Sequence, residues 1–308
     1  MSLLPFTSLI SADQLTQPVI EQIFRATDSM RLICEAKQRY KLLDDKIVAL
    51  IFLEPSSRTM LSFQAATQRL NAGVLHMQGK ENNSLAKGES IEDTMKLVSG
   101  YADLIVARLA VTGQAPGAAA ACSVPFINAG DGANEHPTQS LIDAYTIYRE
   151  VGTLEGLHIA CGFDPRHSRT IHSLVKLLSQ YKGNRFTFIC PLELVPPPGL
   201  LKLLDERGVN YTHSADVDDL GEADVLYLNR LQEERFADKA LFEQYRRSYV
   251  LRPDMVKAKN RLILDPLPRV DEIETAVDAL PQAAYFRQAH NGVPIRMALL
   301  SLLLDRQL

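Results

Sequence analysis

Short aliphatic runs alternate with segments of helical spacing along almost the whole chain, and no other feature restricts the fold as much. The runs are KIVALIFL, GVLHM, ADLIVAR and VPFINAG in the first half, then LHIACGF, RFTFIC, ADVLYLN and RLILDP in the second. KIVALIFL, Lys46 to Leu53, is unbroken by any polar residue after its first position. A run of that kind suits a strand covered on both faces, as in a parallel sheet. Strand, helix and strand in repetition is the pattern of open parallel sheets. The expected class is α/β: two open, mainly parallel-sheet α/β domains joined by interdomain helices.

A chain of 308 residues, 46% hydrophobic and 23% charged, is long enough for two such cores. HPTQSLIDAYTIYREVG (His136 to Gly152) places Leu141, Ile142, Ala144, Tyr145 and Tyr148 at helical spacing before its closing glycine, and Gly156 follows. The boundary is placed there. Residues 1–135 then form a first domain, 136–152 an interdomain helix and 153–290 a second domain, with a helix in 291–308 returning to the first. That last segment contains MALLSLLL, too apolar to stand in water, and is expected to be buried. GQAPGAAAACS is expected to be a small-residue helix lying close on a sheet.

The formal net charge is −4 and the basic residues are dispersed, which gives no electrostatic reason to expect nucleic acid. No run reaches the ~18 uninterrupted apolar residues of a membrane span, and the first residues lack a basic region. Cys34, Cys122, Cys161 and Cys190 are far apart and read as buried thiols in a reducing compartment. The expected location is cytoplasmic, with neither nucleic-acid nor membrane partners.

Ligands of open α/β sheets bind beyond the carboxyl ends of the strands. Those positions here are strongly polar. SSRT follows the first strand, Arg108 follows ADLIVA, and DGANEHPTQ follows VPFINAG; DPRHSRT follows LHIACGF, Arg230 and Gln232 follow ADVLYLN, and DPLPR follows RLIL. A strand, a hydroxyl-rich turn and a helix start offer free N–H groups and a positive dipole end to an anion, with Ser56 or Ser57 as N-cap. Several arginines, one histidine and several hydroxyls point to small polyanionic ligands bound in a cleft between the domains. Each residue also has a purely structural reading: Arg108 as a surface cation, His136 as a helix cap, Asp164 and Ser168 as caps of a solvated turn.

Other chemistries lack their patterns. His167 and His172 are five apart, unsuited to one helical face, and neither HExxH nor a cysteine pair accompanies them. GxSxG, GxGxxG and a Walker-type P-loop do not occur. No metal and no cofactor are expected.

FLEPSSRTMLSF, NAGDGANEHPTQSLID, SRTIHSL, YLNRLQEER and DPLPRVDEI, in this order over nearly the whole length, resemble the aspartate carbamoyltransferase catalytic chains of the aspartate/ornithine carbamoyltransferase superfamily. The resemblance implies carbamoyl transfer from carbamoyl phosphate to the α-amino group of L-aspartate, giving N-carbamoyl-L-aspartate and phosphate in pyrimidine synthesis. It implies that Ser56, Ser57, Arg58 and Thr59 hold the phosphate, and that Arg108, His136 and Gln139 hold the carbamoyl end. Thr59, Arg108 and His136 would face its carbonyl oxygen, where fixed donors favour the transition state. Arg169, for the α-carboxylate, and Arg230 with Gln232, for the side chain, would hold aspartate, and the Pro266 and Leu267 carbonyls would receive its amino group. A homotrimer with shared sites is implied, Ser84 and Lys87 reaching into the neighbour's. Glu54, Arg169 and Arg235 match positions that pair across the domains on closure. Separate regulatory or dihydroorotase-type chains are possible partners by the same resemblance.

The pattern departs from the family in several places. Ser57 stands for a threonine, Met60 for the closing arginine of the phosphate motif, Arg108-Leu109-Ala110 for Arg-His-Pro, and Asp265 for the histidine of His-Pro-Leu-Pro. Asp265 could favour a more cationic acceptor or pair with Arg269 or His290. Two alternatives therefore stand beside the main reading: a carbamoyltransferase with another amino-acid acceptor, and a catalytically impaired chain serving as a binding or regulatory partner.

Overall fold

The computed structural model describes residues 3–79 and 84–308. In chain order the helices and strands are α1 (Gln17–Glu35), β1 (Ile47–Phe52), α2 (Ser57–Arg69), β2 (Gly73–Gln78), α3 (Ile91–Ser99), β3 (Leu104–Leu109), α4 (Ala115–Ala121), β4 (Phe126–Asp131) and α5 (Pro137–Val151). They continue as β5 (His158–Gly162), α6 (Arg169–Leu178), β6 (Arg185–Ile189), α7 (Pro198–Glu206), β7 (Tyr211–Ser214), β8 (Val225–Leu228), α8 (Lys239–Ser248), β9 (Leu262–Leu264) and α9 (Tyr285–Leu303). The chain divides into two compact units, Met1–Ile142 with Asn291–Leu308, and Asp143–His290. It is α/β throughout.

In the first unit the sheet order is β2-β1-β3-β4, with every pair parallel. β1 is buried except at Ile47 and β3 and β4 are buried throughout, which explains their continuous apolar runs. β2 is an edge strand and is largely open to solvent. Ala49, Ile51, Ile105, Ala107 and Phe126 form one core with Ala115 and Ala118 of α4, whose lack of bulk allows close approach to the sheet. In α2 the apolar spacing resolves into a buried row of Phe63 and Ala66 with the capping Leu70, while Leu61 is exposed.

The second unit has the order β7-β6-β5-β8-β9, again all parallel. β7 was not evident as an apolar run because YTHS is polar, and it too lies at an edge, half open to solvent. The thiols divide: Cys161 and Cys190 are buried, but Cys34 and Cys122 are only half-buried, because they lie at helix ends and not on inner strands. Burial pushes the Cys190 thiol up to about 12. No helix among the described residues is long and apolar enough to cross a membrane.

Each sheet has one switch point, where consecutive strands leave in opposite directions. It lies between β1 and β3 in the first unit and between β5 and β8 in the second. Open sheets bind ligands past the strand ends at such points, because the connections diverge and leave a crevice.

Candidate active site

At the first switch point, Phe52 of β1 pairs in register with Arg108 of β3. The chain leaves β1 through Glu54 and Pro55 and enters α2 at Ser57, with Ser56 as the extended N-cap residue. The Ser56 hydroxyl makes no capping bond, and no acidic residue lies in the first turn. The N–H groups and dipole of that turn therefore favour an anion. Ser57 and Arg58 are exposed there, whereas Thr59 is buried. Met60, where the carbamoyltransferase pattern has arginine, sits with its sulfur 3.1 Å from Nε2 of His76 on β2.

Arg108 is buried within β3, so it is no surface cation. Its Nε donates to Glu54 Oε2 at 3.0 Å and its Nη1 to the Ala129 carbonyl at 3.4 Å. His136 immediately precedes α5 and is buried, with Nε2 3.4 Å from Thr59 Oγ1 and Nδ1 3.3 Å from Thr138 Oγ1. Burial first, and then the charge of Arg296, lower its pKa to about 3. At neutral pH the ring is uncharged and carries one N–H, a hydrogen-bond donor and not a proton source. Gln139 is half-buried one turn further along α5.

Two further residues shape this turn that sequence reasoning passed over. Arg296 of α9 is buried, donates from Nη1 to Ser62 Oγ at 2.6 Å, and lies with its guanidinium 4.8 Å from the Phe63 ring centre. Ser62 in turn donates to the carbonyls of Arg58 at 2.6 Å and Thr59 at 3.0 Å. Arg296 thus holds the first turn of α2 from below. The signal was present: a single arginine ahead of MALLSLLL cannot be buried without partners.

At the second switch point, Asp164 is buried after β5. Its Oδ1 accepts from the His167 N–H at 3.2 Å and lies 3.0 Å from His167 Nδ1, and its Oδ2 accepts from the Gln232 N–H at 3.3 Å. Ser168 is the N-cap of α6, accepting from the Ile171 N–H at 3.2 Å and donating to Asn229 Oδ1 at 2.8 Å. These bonds link the loop after β5 to the loop after β8. Arg169, half-buried, is the first residue of α6. Arg230 forks onto Glu234, Nη2 to Oε1 at 2.6 Å and Nη1 to Oε2 at 3.1 Å, and this hydrogen bonding raises its pKa. Gln232 is half-buried and Arg235 is exposed on a short 3-10 turn. Pro266 and Leu267, half-buried, follow β9, the neighbour of β8. Arg269 pairs with Asp278.

The first unit thus brings Ser56, Ser57, Arg58, Thr59, Arg108, His136 and Gln139 to one region of its sheet, and the second brings Arg169, Arg230, Gln232, Pro266 and Leu267 to one end of its own. Glu54 is paired inside the first unit. Ser84 opens and Lys87 closes a 3-10 turn, with Lys87 exposed; residues 80–83 of the same loop lie outside the described residues. One set suits a phosphate and a polarised carbonyl, the other paired carboxylates.

Residues 7–149 match the family model for the aspartate/ornithine carbamoyltransferase carbamoyl-P binding domain, and residues 155–303 match that for the Asp/Orn binding domain. The chain belongs to the aspartate/ornithine carbamoyltransferase family. The aspartate carbamoyltransferase catalytic subunit of Methanocaldococcus jannaschii is 43% identical over 298 residues, 96% of this chain and 97% of that protein. The catalytic subunit of the M. jannaschii aspartate transcarbamoylase, in an orthorhombic crystal form, superposes with a TM-score of 0.91 at 42% identity, covering 97% of this chain and 98% of that one. The Trypanosoma cruzi aspartate transcarbamoylase, solved with N-(phosphonacetyl)-L-aspartic acid, gives 0.89 at 35% identity, covering 95% and 94%. That enzyme has also been solved with carbamoyl phosphate and aspartate together.

Proposed function

We propose that this chain is an aspartate carbamoyltransferase. It transfers the carbamoyl group of carbamoyl phosphate to the amino group of L-aspartate, giving N-carbamoyl-L-aspartate and phosphate, in de novo pyrimidine biosynthesis. The observation that carries this reading is the meeting of an open helix N-terminus with a buried, uncharged His136 and with Arg108. An anion and a carbonyl oxygen on one small molecule are what such donors serve, and carbamoyl phosphate has both. The relative from T. cruzi, solved with this pair of substrates, supports the assignment.

In this mechanism the first turn of α2, with Ser56, Ser57, Arg58 and Thr59, takes the phosphate. Thr59, Arg108 and His136 donate to the carbonyl oxygen, on which negative charge builds as the amine attacks. Gln139 steadies the carbamoyl nitrogen end. Arg169 takes the α-carboxylate of aspartate and Arg230 with Gln232 its side chain, guanidinium forks matching carboxylates bidentately. The Pro266 and Leu267 carbonyls orient the amine. Attack forms the new C–N bond, phosphate leaves with the electrons of the C–O bond, and the amine proton departs with an acceptor such as that phosphate.

The assembly in this proposal is a homotrimer in which Ser84 and Lys87 complete a neighbour's site. Its location is cytoplasmic, in keeping with four free cysteines, and the relatives named as catalytic subunits make regulatory or other partner chains part of the same proposal. Phosphate release from carbamoyl phosphate should depend on L-aspartate and be far weaker with L-ornithine or other amino acids. Release indifferent to the acceptor would overturn the assignment.

A further inference from the structure

Asp265 is almost fully buried immediately after β9, where a carboxylate is costly unless it is used. Its Oδ1 accepts the Leu267 N–H at 2.6 Å, and its own N–H donates to Gln288 Oε1 at 3.0 Å. The Gln288 amide is held at both ends, because its Nε2 donates to Asp143 Oδ1 at 2.7 Å. The other oxygen of Asp143 accepts from the Tyr227 hydroxyl at 2.7 Å. Asp143, Tyr227 and Gln288 are buried as deeply as Asp265. A continuous polar chain thus runs from β8 through α5 and α9 to the turn after β9, and only one orientation of the Gln288 amide satisfies it.

The turn needs such an anchor. Leu267 has φ +61°, the left-handed region that a residue with a β-carbon enters at a cost of roughly 1–2 kcal/mol. Asp265 accepting the N–H two residues ahead closes an Asx turn over Pro266 and ties Leu267 in the place it holds. Because β9 neighbours β8, the turn lies beside the segment that carries Arg230 and Gln232.

We infer that Asp265 is a positioning residue for the acceptor amino acid, locking the Pro266–Leu267 turn through the Gln288–Asp143–Tyr227 chain so that its carbonyls meet the attacking amine in one orientation. This rests on the function proposed above. The carboxylate that replaces the family's histidine is then spent on the backbone of its own turn, and acceptor choice stays with Arg169, Arg230 and Gln232.

The test compares Asp265→Asn, which keeps an oxygen for the Leu267 N–H, with Asp265→Leu, which does not. Wild-type chain is assayed first for aspartate-dependent phosphate release; an inactive wild type would count against the function, and only an active one addresses Asp265. Asp265→Leu should raise the KM for aspartate about tenfold to a hundredfold, with the Kd for carbamoyl phosphate unchanged by calorimetry, and Asp265→Asn should recover most of that loss. An aspartate KM within about twofold of wild type in the leucine variant, or equal impairment in both variants, would overturn the inference. Should the leucine variant fail to fold by circular dichroism, Tyr227→Phe removes one hydroxyl from the far end of the same chain. It should raise the aspartate KM about threefold, and an unchanged KM would be equally fatal.

Discussion

His136 shows how much one residue's environment decides. Exposed, it would titrate near neutrality; sealed between Thr59 and Thr138 with a buried guanidinium nearby, it stays neutral down to about pH 3. As a neutral donor to a developing oxyanion it should matter most in the transition state. His136→Ala is expected to lower kcat about tenfold to a thousandfold while the Kd for carbamoyl phosphate changes much less. An unchanged turnover number would leave the residue a helix cap. The same burial affects stability. Between about pH 3 and the unfolded value near 6.5, the unfolded chain binds a proton at this site and the folded one does not, so acidification favours unfolding. From pH 7.5 to 5.0 this amounts to about 2 kcal/mol. Urea titrations should show His136→Gln losing that much less than wild type over the same interval; parallel losses would contradict the depressed pKa.

Helix starts carry much of the proposed chemistry, and the two at the switch points are built differently. α2 begins at Ser56 without a side-chain cap and without an acidic residue in its first turn, so the dipole there favours an anion, and Arg296 with Ser62 steadies the turn from within. α6 begins at Ser168, whose hydroxyl caps the helix and also reaches Asn229, so in the proposed function it would hold Arg169 in place. Ser168→Ala should cost about 1 kcal/mol of stability from the lost cap. It should also raise the KM for aspartate severalfold without changing carbamoyl-phosphate affinity, since one of the bonds between the loops after β5 and β8 is lost with it. A stability loss with wild-type aspartate kinetics would reduce Ser168 to a cap. Arg230 presents a third case: its fork is occupied by Glu234, which holds the guanidinium flat and oriented at some electrostatic cost to an incoming carboxylate.

At the scale of the whole molecule, each unit has its own parallel sheet, switch point and set of candidate site residues, so in the proposed function donor and acceptor recognition would be built on separate cores. The proposed trimer adds a contribution from a neighbouring chain through Lys87, which stands exposed at the end of its turn. Lys87→Ala chains and Arg58→Ala chains should each be inactive alone. Mixed and reassembled at equal concentration, they should regain about a quarter of wild-type activity, because three-quarters of random trimers are mixed and each then holds one intact site of three. Mixed trimers verified by mass and still inactive would place Lys87 outside the neighbour's site.

The strands of both sheets were legible because burial on two faces demands unbroken aliphatic runs, and that demand is local. KIVALIFL and ADLIVAR declare it; the edge strand YTHS, facing solvent, does not. The polar composition of the strand ends was equally local, which is why Arg58, His136, Arg169 and Arg230 could be singled out from the sequence and its resemblance to carbamoyltransferases. What no stretch of sequence contains is the set of partners. Glu54 meets Arg108, Arg296 reaches under residues 58 to 63, and Asp143, Tyr227, Asp265 and Gln288 join across more than a hundred positions. Those pairings, and the charge state of His136, exist only where the sheets and helices exclude water and bring distant groups within hydrogen-bond range. The chemistry of the residues was written in the chain, but their orientation and protonation are properties of the packed interior.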